Sequence, residues 1–363
     1  MLSLSQLLVK GAWGALRAWQ LGDDPQWKLW QTFEMTESSV IGAAALFELW
    51  WWPWIVGLAG ATGFGAFFWW LAARYISNDQ VGVVEKLWSA TGSVPEGTII
   101  ALTGEAGYQA EVLRGGLHFG YWRWQYRLHK TSLVTVPQGK IGYVYARDGE
   151  PLSPSQTLGR VVDCNNFQDA RTFLGVDVAL QTSNPEDLPG QRGRQRGILR
   201  EGVYAINLAL FIVITDEQVF SLRQHRKDRE VIAANEWQQE LSRTGGFEPV
   251  IVGAPVGTID PINHDAFIQV DSIAIVTIHD GPSLPPGEII APAVGSTTDD
   301  PNFHNNYQDP EAFLRAGGRR GRQYLPLTDG TYFINRWFAT TETIPKTLVP
   351  IGYVGVVVSY YGR

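Results

Sequence analysis

The chain has 363 residues, which is enough for two or three domains. Its 39 Gly and 20 Pro, together with only 18% charged residues, predict many short strands and turns and exclude a helical bundle. The formal net charge of −7 argues against a nucleic-acid partner, since proteins of that class carry basic surfaces. A single cysteine, Cys164, excludes a disulfide within the chain.

Residues 1–38 predict an amphipathic region that lies in a membrane interface. Between residues 2 and 20, leucines and tryptophans occupy one flank of a helix, whereas Lys10 and Arg17 lie on another. This distribution is typical of a helix that lies flat on a bilayer. The sequence leaves open the alternative that this helix packs on a soluble domain.

Residues 39–76 predict a transmembrane segment. Its centre, Leu49–Ala73, is uncharged, and soluble helices rarely lack a polar face over such a length. In a helix the steps from Trp52 to Trp69 span about 25 Å, which matches the distance between the two headgroup levels of a bilayer. We therefore predict that both tryptophan clusters and the arginine after them lie at the membrane interface: Trp50, Trp51, Trp52, Trp54, Trp69, Trp70 and Arg74.

The way this segment crosses the membrane is left open by the sequence. A single span and a re-entrant hairpin with its bend at Gly57–Gly63 both agree with the residues, since glycines and Pro53 soften the helix. Arg74 and Lys86 follow the uncharged stretch Leu49–Ala73, and basic residues tend to stay on the cytoplasmic side. The predicted localisation is the cell membrane, with the soluble part in the cytoplasm.

From Ile76 onward the sequence repeats itself, which indicates tandem structural units. Asp79–Val84, Gly139–Val144 and Gly352–Val357 align without gaps, and each leads from a turn into a β-branched strand with an internal glycine. A weaker copy, Ile273–Gly281, aligns with Ile141–Gly149. We predict β-rich units at 77–134, 135–225 and 249–346, a connecting helix within 226–248, and the first strand of a further unit at 347–363.

A second set of motifs recurs between the second and third predicted units. Arg200–Asn207 and Thr328–Asn335 share the pattern G-x-Y-x-I-N, and glycine favours a hairpin turn because it enters positive φ without penalty. Asn165–Asp169 also matches Asn305–Asp309. A short helix is predicted after each of these, at 170–174 and 310–316.

The polar residues form no recognisable catalytic set. The six histidines include no pair at i and i+4, no serine lies in a nucleophile elbow, and no glycine-rich turn carries the Lys-Ser/Thr of a phosphate loop. We therefore predict no enzyme activity, no metal site and no cofactor. The most suggestive polar feature is a pair of Arg-Gly-Arg turns, interpreted as contacts for lipid phosphates or for a neighbouring subunit, with internal ion pairs and solvated loops as alternatives: Arg192, Arg194, Arg320 and Arg322.

Taken together, these motifs resemble the SPFH/band 7 group (stomatin, prohibitin, flotillin), and in particular the long flotillin-like proteins of bacteria. The pattern VPxGxxGxVxxxxG occurs in Val136–Gly149 and Val349–Gly362, followed by related strand-turn sequences at Leu199–Asn207 and Asp329–Asn335. Three further stretches resemble the bacterial subgroup: Gly104–Gly120, Asn165–Leu174 and Asp280–Pro292. The resemblance covers most of residues 76–363.

The resemblance implies a non-enzymatic membrane scaffold that forms large homo-oligomers and organises membrane microdomains. The expected fold is membrane-anchored α+β, mainly β, with an N-terminal transmembrane helix or hairpin followed by tandem small β-rich units with short helices. Its expected partners are the lipid bilayer, further copies of the chain and other membrane proteins. The alternative is a membrane-bound adaptor that regulates a partner such as a membrane protease. Since Val349–Gly362 resembles the start of the band 7 domain, the chain is expected to be a fragment or a divergent short form.

Overall fold

A computed structural model describes residues 52–154, 156–175, 188–223 and 228–359. This part of the chain is mainly β-structure with few helices, as the composition predicts. The predicted amphipathic region at 1–38 and the residues Trp50 and Trp51 lie outside the described residues. The chain divides into two compact units, Met1–Leu71 and Ala72–Arg363.

The described part of the first unit is one helix, α1 (Trp52–Ala72), which is 21 residues long. It runs without interruption through Gly57–Gly63, the place where the sequence leaves a re-entrant bend open. Its one hydroxyl is satisfied inside the helix, because Thr62 Oγ1 donates to the Leu58 carbonyl at 2.7 Å. None of its residues is buried.

The second unit contains three groups of strands that follow one another along the chain, which we name the first, second and third repeats. The first repeat consists of β1 (Arg74–Ile76), β2 (Gln80–Lys86), β3 (Ile100–Ala101), β4 (Gly107–Leu113), β5 (Gly116–His118) and β6 (Tyr126–Ser132). The second repeat consists of β7 (Val134–Val136), β8 (Gly142–Ala146), α2 (Ala170–Phe173), β9 (Gly193–Leu199), β10 (Gly202–Tyr204), β11 (Phe211–Ile214) and β12 (Val219–Phe220).

A longer helix, α3 (Arg229–Arg243), connects the second repeat to the third. The third repeat consists of β13 (Val250–Val252), β14 (Val256–Ile259), β15 (Phe267–Val270), β16 (Ser272–Ile278), β17 (Ile290–Ala291), α4 (Pro310–Arg315), β18 (Gly321–Gln323), β19 (Gly330–Tyr332) and β20 (Ala339–Pro345). The unit boundaries drawn from the sequence stay predictions, because residues 72–363 group as one compact unit.

The three repeats have the same topology. In each sheet the central strand (β2, β8 or β16) lies antiparallel between two later strands, giving the orders β4-β2-β6, β9-β8-β11 and β18-β16-β20. A short parallel segment borders each sheet, formed by β3, by the Gly159 bridge to Gln195, and by β17. In each repeat, a short strand that precedes the central strand pairs with a later short strand to form a separate two-stranded ribbon: β1 with β5, β7 with β10, and β13 with β19.

The glycine in the central strand is explained by close packing of the ribbon on the sheet. A Cβ on Gly82 would lie 2.6 Å from Ile76 Cδ1, and one on Gly142 would lie 3.0 Å from Val136 Cγ2. Ile76 and Val136 are the last residues of β1 and β7. A side chain at the glycine would therefore push the ribbon away from the sheet.

In each sheet, the strand on one side of the central strand (β4, β9 or β18) contains a glutamine whose side chain donates to nearby backbone carbonyls. The Nε2 atom of Gln195 donates to the carbonyls of residues 191 and 193. Gln109 and Gln323 make the same two bonds, to the carbonyls four and two residues earlier. These glutamines fix equivalent positions in the three repeats.

The two Asn-Asn motifs form an unusual left-handed turn. Asn165, Asn166 and Phe167 all have positive φ, between 51° and 62°, and Asn305, Asn306 and Tyr307 have φ between 44° and 65°. Asparagine tolerates this region better than most residues. In both copies the aspartate after the turn caps the short helix, because its side chain accepts from two backbone N–H groups of α2 or α4.

Two of the hydrophobic clusters each contain residues of two neighbouring repeats. Val83 and Ala110 of the first repeat belong to the same cluster as Val144, Phe173 and Phe211 of the second. Leu158 of the second repeat lies in the cluster of the third. Helix α3 covers the opposite face of the second sheet with its buried Val231, Ala234 and Leu241, the face that its 3.6-residue period predicts.

The third repeat carries an insertion that sequence comparison of the repeats did not reveal. Strands β14 and β15 form a hairpin between the ribbon strand and the central strand, and its Ile262 and Phe267 are exposed. After β20, the segment 348–358 forms a turn in which the Tyr353 N–H donates to the Pro350 carbonyl at 3.1 Å. The same bond occurs before β8, from Lys140 to Pro137 at 3.2 Å.

Candidate functional site

Helix α1 is the one described helix that is long and apolar enough to span a membrane, by length and composition. Its described tryptophans, Trp52, Trp54, Trp69 and Trp70, are exposed and lie near its two ends. This distribution agrees with the predicted interfacial clusters, and their contact with lipid stays a prediction.

Arg74, the basic residue predicted at the interface, is held by the first repeat. Its guanidinium donates from Nε to the Tyr121 carbonyl at 3.2 Å and from Nη2 to the Tyr126 carbonyl at 3.1 Å. Partial burial, followed by the nearby charge of Arg123, lowers the pKa of Arg74. This residue therefore links β1 to the loop before β6 and is not simply a free surface cation.

The arginines of the first Arg-Gly-Arg turn have different environments. Arg192 is exposed, and its backbone N–H donates to the Glu150 carbonyl at 2.9 Å. The Arg194 guanidinium lies 5.6 Å from the ring centroids of both Trp237 and Trp337. Arg194 thus joins α3 and the third repeat by cation–π contacts within one chain.

The second Arg-Gly-Arg turn is nearer to solvent. Arg320 donates to the Ser283 hydroxyl, and Arg322 on β18 forms an ion pair with Glu342 on β20, across the central strand β16. Both side chains are exposed, so these contacts add little stability. The structure does not bring the four predicted arginines together into one cluster: Arg194 pairs with aromatic rings, whereas Arg322 pairs with a carboxylate.

The arginine with the most buried contacts is Arg196, which the sequence groups with its neighbours in the first Arg-Gly-Arg turn and does not single out. Arg196 is only 7% exposed, and its Nε atom lies 2.8 Å from Asp280 Oδ2 of the third repeat. Its Nη1 atom lies 2.8 Å from Glu311 Oε1, in the first turn of α4. Three elements of two repeats are therefore joined by one buried guanidinium.

An aspartate after each of the last two central strands contacts the backbone of the preceding repeat. Asp148 Oδ2 accepts the N–H groups of Ile99 at 2.6 Å and Ile100 at 3.1 Å. Asp280 Oδ1 accepts both the N–H and the hydroxyl of Thr157, each at 3.0 Å. Both carboxylates are buried, so they satisfy strand-edge donors that would otherwise lose their hydrogen bonds.

An asparagine completes each contact. Asn207 Nδ2 donates to the carbonyls of Gln109 and Ala110 of the first repeat, both at 3.0 Å. Asn335 Nδ2 donates to the carbonyls of Gln195 and Arg196 of the second repeat, at 3.0 and 2.8 Å. We name Asp148 with Asn207, and Asp280 with Asn335, the docking pairs, because each pair joins its own repeat to the repeat before it.

Two buried ionisable groups occupy equivalent positions before the left-handed turns. Burial raises the pKa of the Cys164 thiol to about 11. Burial lowers the pKa of His304, whose Nδ1 atom accepts the Tyr307 N–H at 2.9 Å while Nε2 faces the Val294 carbonyl. This geometry requires a neutral ring that carries its hydrogen on Nε2. Both residues therefore stabilise turns.

In the described ranges, no three His, Cys, Asp or Glu side chains lie close enough together to hold a metal ion. No protein-family model, curated protein or solved structure matches the chain. The features available for a functional argument are therefore the apolar helix, the docking pairs and the exposed surfaces of the repeats.

Proposed function

We propose that this protein is a non-enzymatic membrane scaffold of the band 7 type, which self-associates and organises membrane microdomains. In this proposal α1 anchors the chain in the cell membrane as a single span, and the repeats lie on the cytoplasmic side. The observation that carries the proposal is the combination of an unburied apolar helix with repeats joined by buried docking pairs.

The apolar helix supports membrane anchoring through its length and its lack of charge. At 1.5 Å per residue, its 21 residues extend over about 30 Å, the thickness of a hydrocarbon core. Exposed aromatic and aliphatic side chains along most of its length are costly in water.

The repeats support a scaffold because their mutual contacts are polar, buried and directional. Each docking pair fixes one repeat against the backbone of the previous one, and each interface also contains core residues. Such contacts favour a rigid array, which suits a protein that holds partners at fixed spacing.

The segment Val354–Val358 supports self-association. Val354 is 92% exposed, whereas Val81, at the aligned position of β2, is 1% exposed. The segment is β-branched and uncharged, and no strand pairs with it among residues 228–359. A β-branched, uncharged segment of this kind readily pairs with a further strand, and in this proposal that strand belongs to a second copy of the chain.

Two measurements on the full chain test the proposal. We expect the chain to float with liposomes after a carbonate wash, and we expect Phe64→Lys in α1 to reduce flotation, because a charge at a helix centre costs about 3 kcal/mol. Phe64→Leu is the matched control. In mild detergent, light scattering is expected to show a large assembly that Val356→Lys disrupts and the exposed control Val203→Lys leaves intact. A chain that stays soluble, or that is monomeric in both detergent and bilayers, would overturn the proposal.

A membrane-bound adaptor is the second candidate, and the β14–β15 hairpin is the observation that favours it. The hairpin has no counterpart in the other two repeats, and Phe267 is exposed at the start of β15. A copy-specific apolar surface suits one particular protein partner. A membrane protease that co-purifies with the chain in detergent at a stoichiometric ratio would favour the adaptor, provided that Phe267→Ser releases the protease without loss of self-association.

A further inference from the structure

The first repeat carries different residues at the positions of the docking pairs. The backbone fixes the first equivalence: the N–H groups of Arg147 and His279 donate to the carbonyls of Leu210 and Phe338, each at 2.8 Å. In the first repeat the N–H of Leu87 makes this bond, to Gln125, also at 2.8 Å. The residue after Leu87 is Trp88, so Trp88 occupies the position of Asp148 and Asp280.

A second backbone pattern fixes the position of the asparagine. The Asn207 carbonyl accepts the N–H groups three and four residues later, and the Asn335 carbonyl does the same. In the first repeat the Trp122 carbonyl accepts the N–H groups of Gln125 and Tyr126, at 3.0 and 2.8 Å. Both members of the docking pair are therefore tryptophan in the first repeat.

The segments that carry these two tryptophans lie side by side, because the Leu87 N–H donates to the Gln125 carbonyl. The indole rings of Trp122 and Trp124 stack at a centroid distance of 5.0 Å and an angle of 10°. Trp88 is 54% exposed and Trp124 is 52% exposed, and Leu87 beside them is exposed as well. We name Leu87, Trp88, Trp122 and Trp124 the aromatic patch. Arg123, between two of its tryptophans, is also exposed.

The residues of the patch suit lipid headgroups better than another repeat. Aspartate and asparagine bond to the edge of a protein strand, whereas indole rings have an apolar body with one N–H and are most stable at a bilayer interface. The patch therefore has the chemistry of a membrane surface contact.

The position of the first repeat in the chain agrees with this chemistry. The second and third repeats follow another repeat, but β1 begins at Arg74, two residues after α1 ends at Ala72. Two residues reach at most about 7 Å. A bilayer that contains the end of α1 therefore also lies within reach of the first repeat.

We infer that the aromatic patch binds the headgroup region of the bilayer, so that the first repeat docks on lipid as the later repeats dock on protein. This inference rests on the proposed membrane anchoring by α1. It adds a second, peripheral contact, which holds the array at a fixed orientation above the membrane.

The test places one fluorescent probe in the patch of the full-length chain. Trp124→Cys carries an environment-sensitive thiol dye, and Ile232→Cys on α3, at 50% exposure, is the matched control. Cys164 does not interfere because it is buried and its pKa is raised. The chain is reconstituted into phosphatidylcholine–phosphatidylglycerol liposomes that contain lipids with a nitroxide on the headgroup.

We expect the nitroxide lipids to quench the dye at residue 124 by about twofold or more and to leave the dye at residue 232 almost unchanged. Trp88→Asp with Trp122→Asn, which installs the docking pair, is expected to reduce the quenching, and circular dichroism checks that the variant folds. Flotation with little or no quenching at residue 124 overturns the patch inference and leaves the proposed function standing. If the labelled full-length chain does not float with the liposomes, this result instead overturns the proposed function.

Other occupants of the patch give different results. Energy transfer between copies labelled at residue 124, without lipid quenching, would assign the patch to a second copy and overturn the inference. Failure of the Trp124→Cys thiol to react in detergent, where the Ile232→Cys thiol reacts, would show that the chain itself covers the patch. That result would also overturn the inference.

Discussion

Both interfaces between repeats contain a docking pair of one aspartate and one asparagine. The interface between the first and second repeats differs from that between the second and third in the groups that bind the aspartate carboxylate. Among the described residues, Asp148 accepts from backbone N–H groups, those of Ile99, Ile100 and its own neighbour Gly149. Asp280 accepts from Thr157 and from the Arg196 guanidinium. The first repeat has Ala110 at the position of Arg196, since the glutamines before both residues make the same bonds.

The difference teaches that peptide dipoles alone can hold a buried carboxylate in such a joint. The arginine is not needed for docking, and a buried ion pair is not in itself more stable than a well-packed apolar contact. Its effect is to join Asp280 to Glu311, so that α4 and the end of β16 are held by the same group of the second repeat.

The largest expected effect compares Asp280→Asn with Asp148→Asn. Asp280→Asn leaves a buried guanidinium without its main partner, and we expect the free energy of unfolding to fall by about 3–5 kcal/mol. Asp148→Asn replaces the charge-assisted bonds from backbone N–H groups by weaker neutral ones, with an expected loss of about 1–3 kcal/mol. Urea unfolding of the full chain in mild detergent, followed by tryptophan fluorescence, measures both.

Arg322→Met is the control for this comparison, because it removes an exposed ion pair and is expected to cost less than about 1 kcal/mol. Equal losses for the two aspartate variants would contradict the distinction between the interfaces.

The next prediction concerns the asparagines, which are the same at both interfaces. Asn207→Ala and Asn335→Ala each leave two backbone carbonyls of the preceding repeat without a donor. We expect each variant to lose about 2–3 kcal/mol of unfolding free energy. The two losses are expected to be similar, and a large difference in the same urea measurement would show that the joints are less alike than their hydrogen bonds.

A smaller effect compares packing inside the repeats. Gly82→Ala places a methyl group against Ile76 and Leu128, at 2.6 and 2.9 Å, and we expect a loss of about 1–3 kcal/mol. Gly355→Ala meets only Val349, at 3.3 Å, and is expected to change stability by less than about 0.5 kcal/mol. Thermal unfolding compares the two variants, and equally small losses would show that the ribbon moves away from the first sheet at no cost.

The smallest effect is a pH dependence that separates the two left-handed turns. The folded state keeps His304 neutral, whereas the unfolded chain takes up a proton below the ordinary pKa of 6.5. Stability is therefore expected to fall as the pH drops below this value, by at most about 1.4 kcal/mol per pH unit. His304→Asn should lose this dependence, and the exposed control His264→Gln should retain it; melting curves at several pH values between about 5 and 7 decide.

The alternation of glycines and β-branched residues was enough to predict a mainly β fold. It could not identify Arg196 among the other arginines. Opposite the central strand, Tyr143 pairs with Ile198 and Tyr145 pairs with Arg194, so β9 bulges between these pairs. A bulge breaks the two-residue alternation that assigns faces to side chains, and Arg196 lies within it. The sequence signal that could have identified Arg196 is the preceding residue, Gln195, because a glutamine also precedes Ala110 at the equivalent position of the first repeat.

The sequence shows that the asparagine of G-x-Y-x-I-N is repeated, but it does not show the hydrogen bonds that this residue makes to the preceding repeat. Its acceptors at Asn335 are backbone carbonyls about 140 residues earlier, and backbone groups leave no trace in a sequence. The β14–β15 hairpin was missed for the opposite reason, since it has no counterpart in the other repeats with which it could align.

The docking pairs bind main-chain atoms in preference to side chains, and this has a consequence for how such an array can vary. Asp148 and Asn207 contact the first repeat through its peptide groups, and a contact of this kind accepts any residue that keeps the path of the backbone. Ile99 and Ile100 can thus face Asp148 where Thr157 faces Asp280. Arrays built in this way can be lengthened by inserting one more module, with no matching change in the module that receives it.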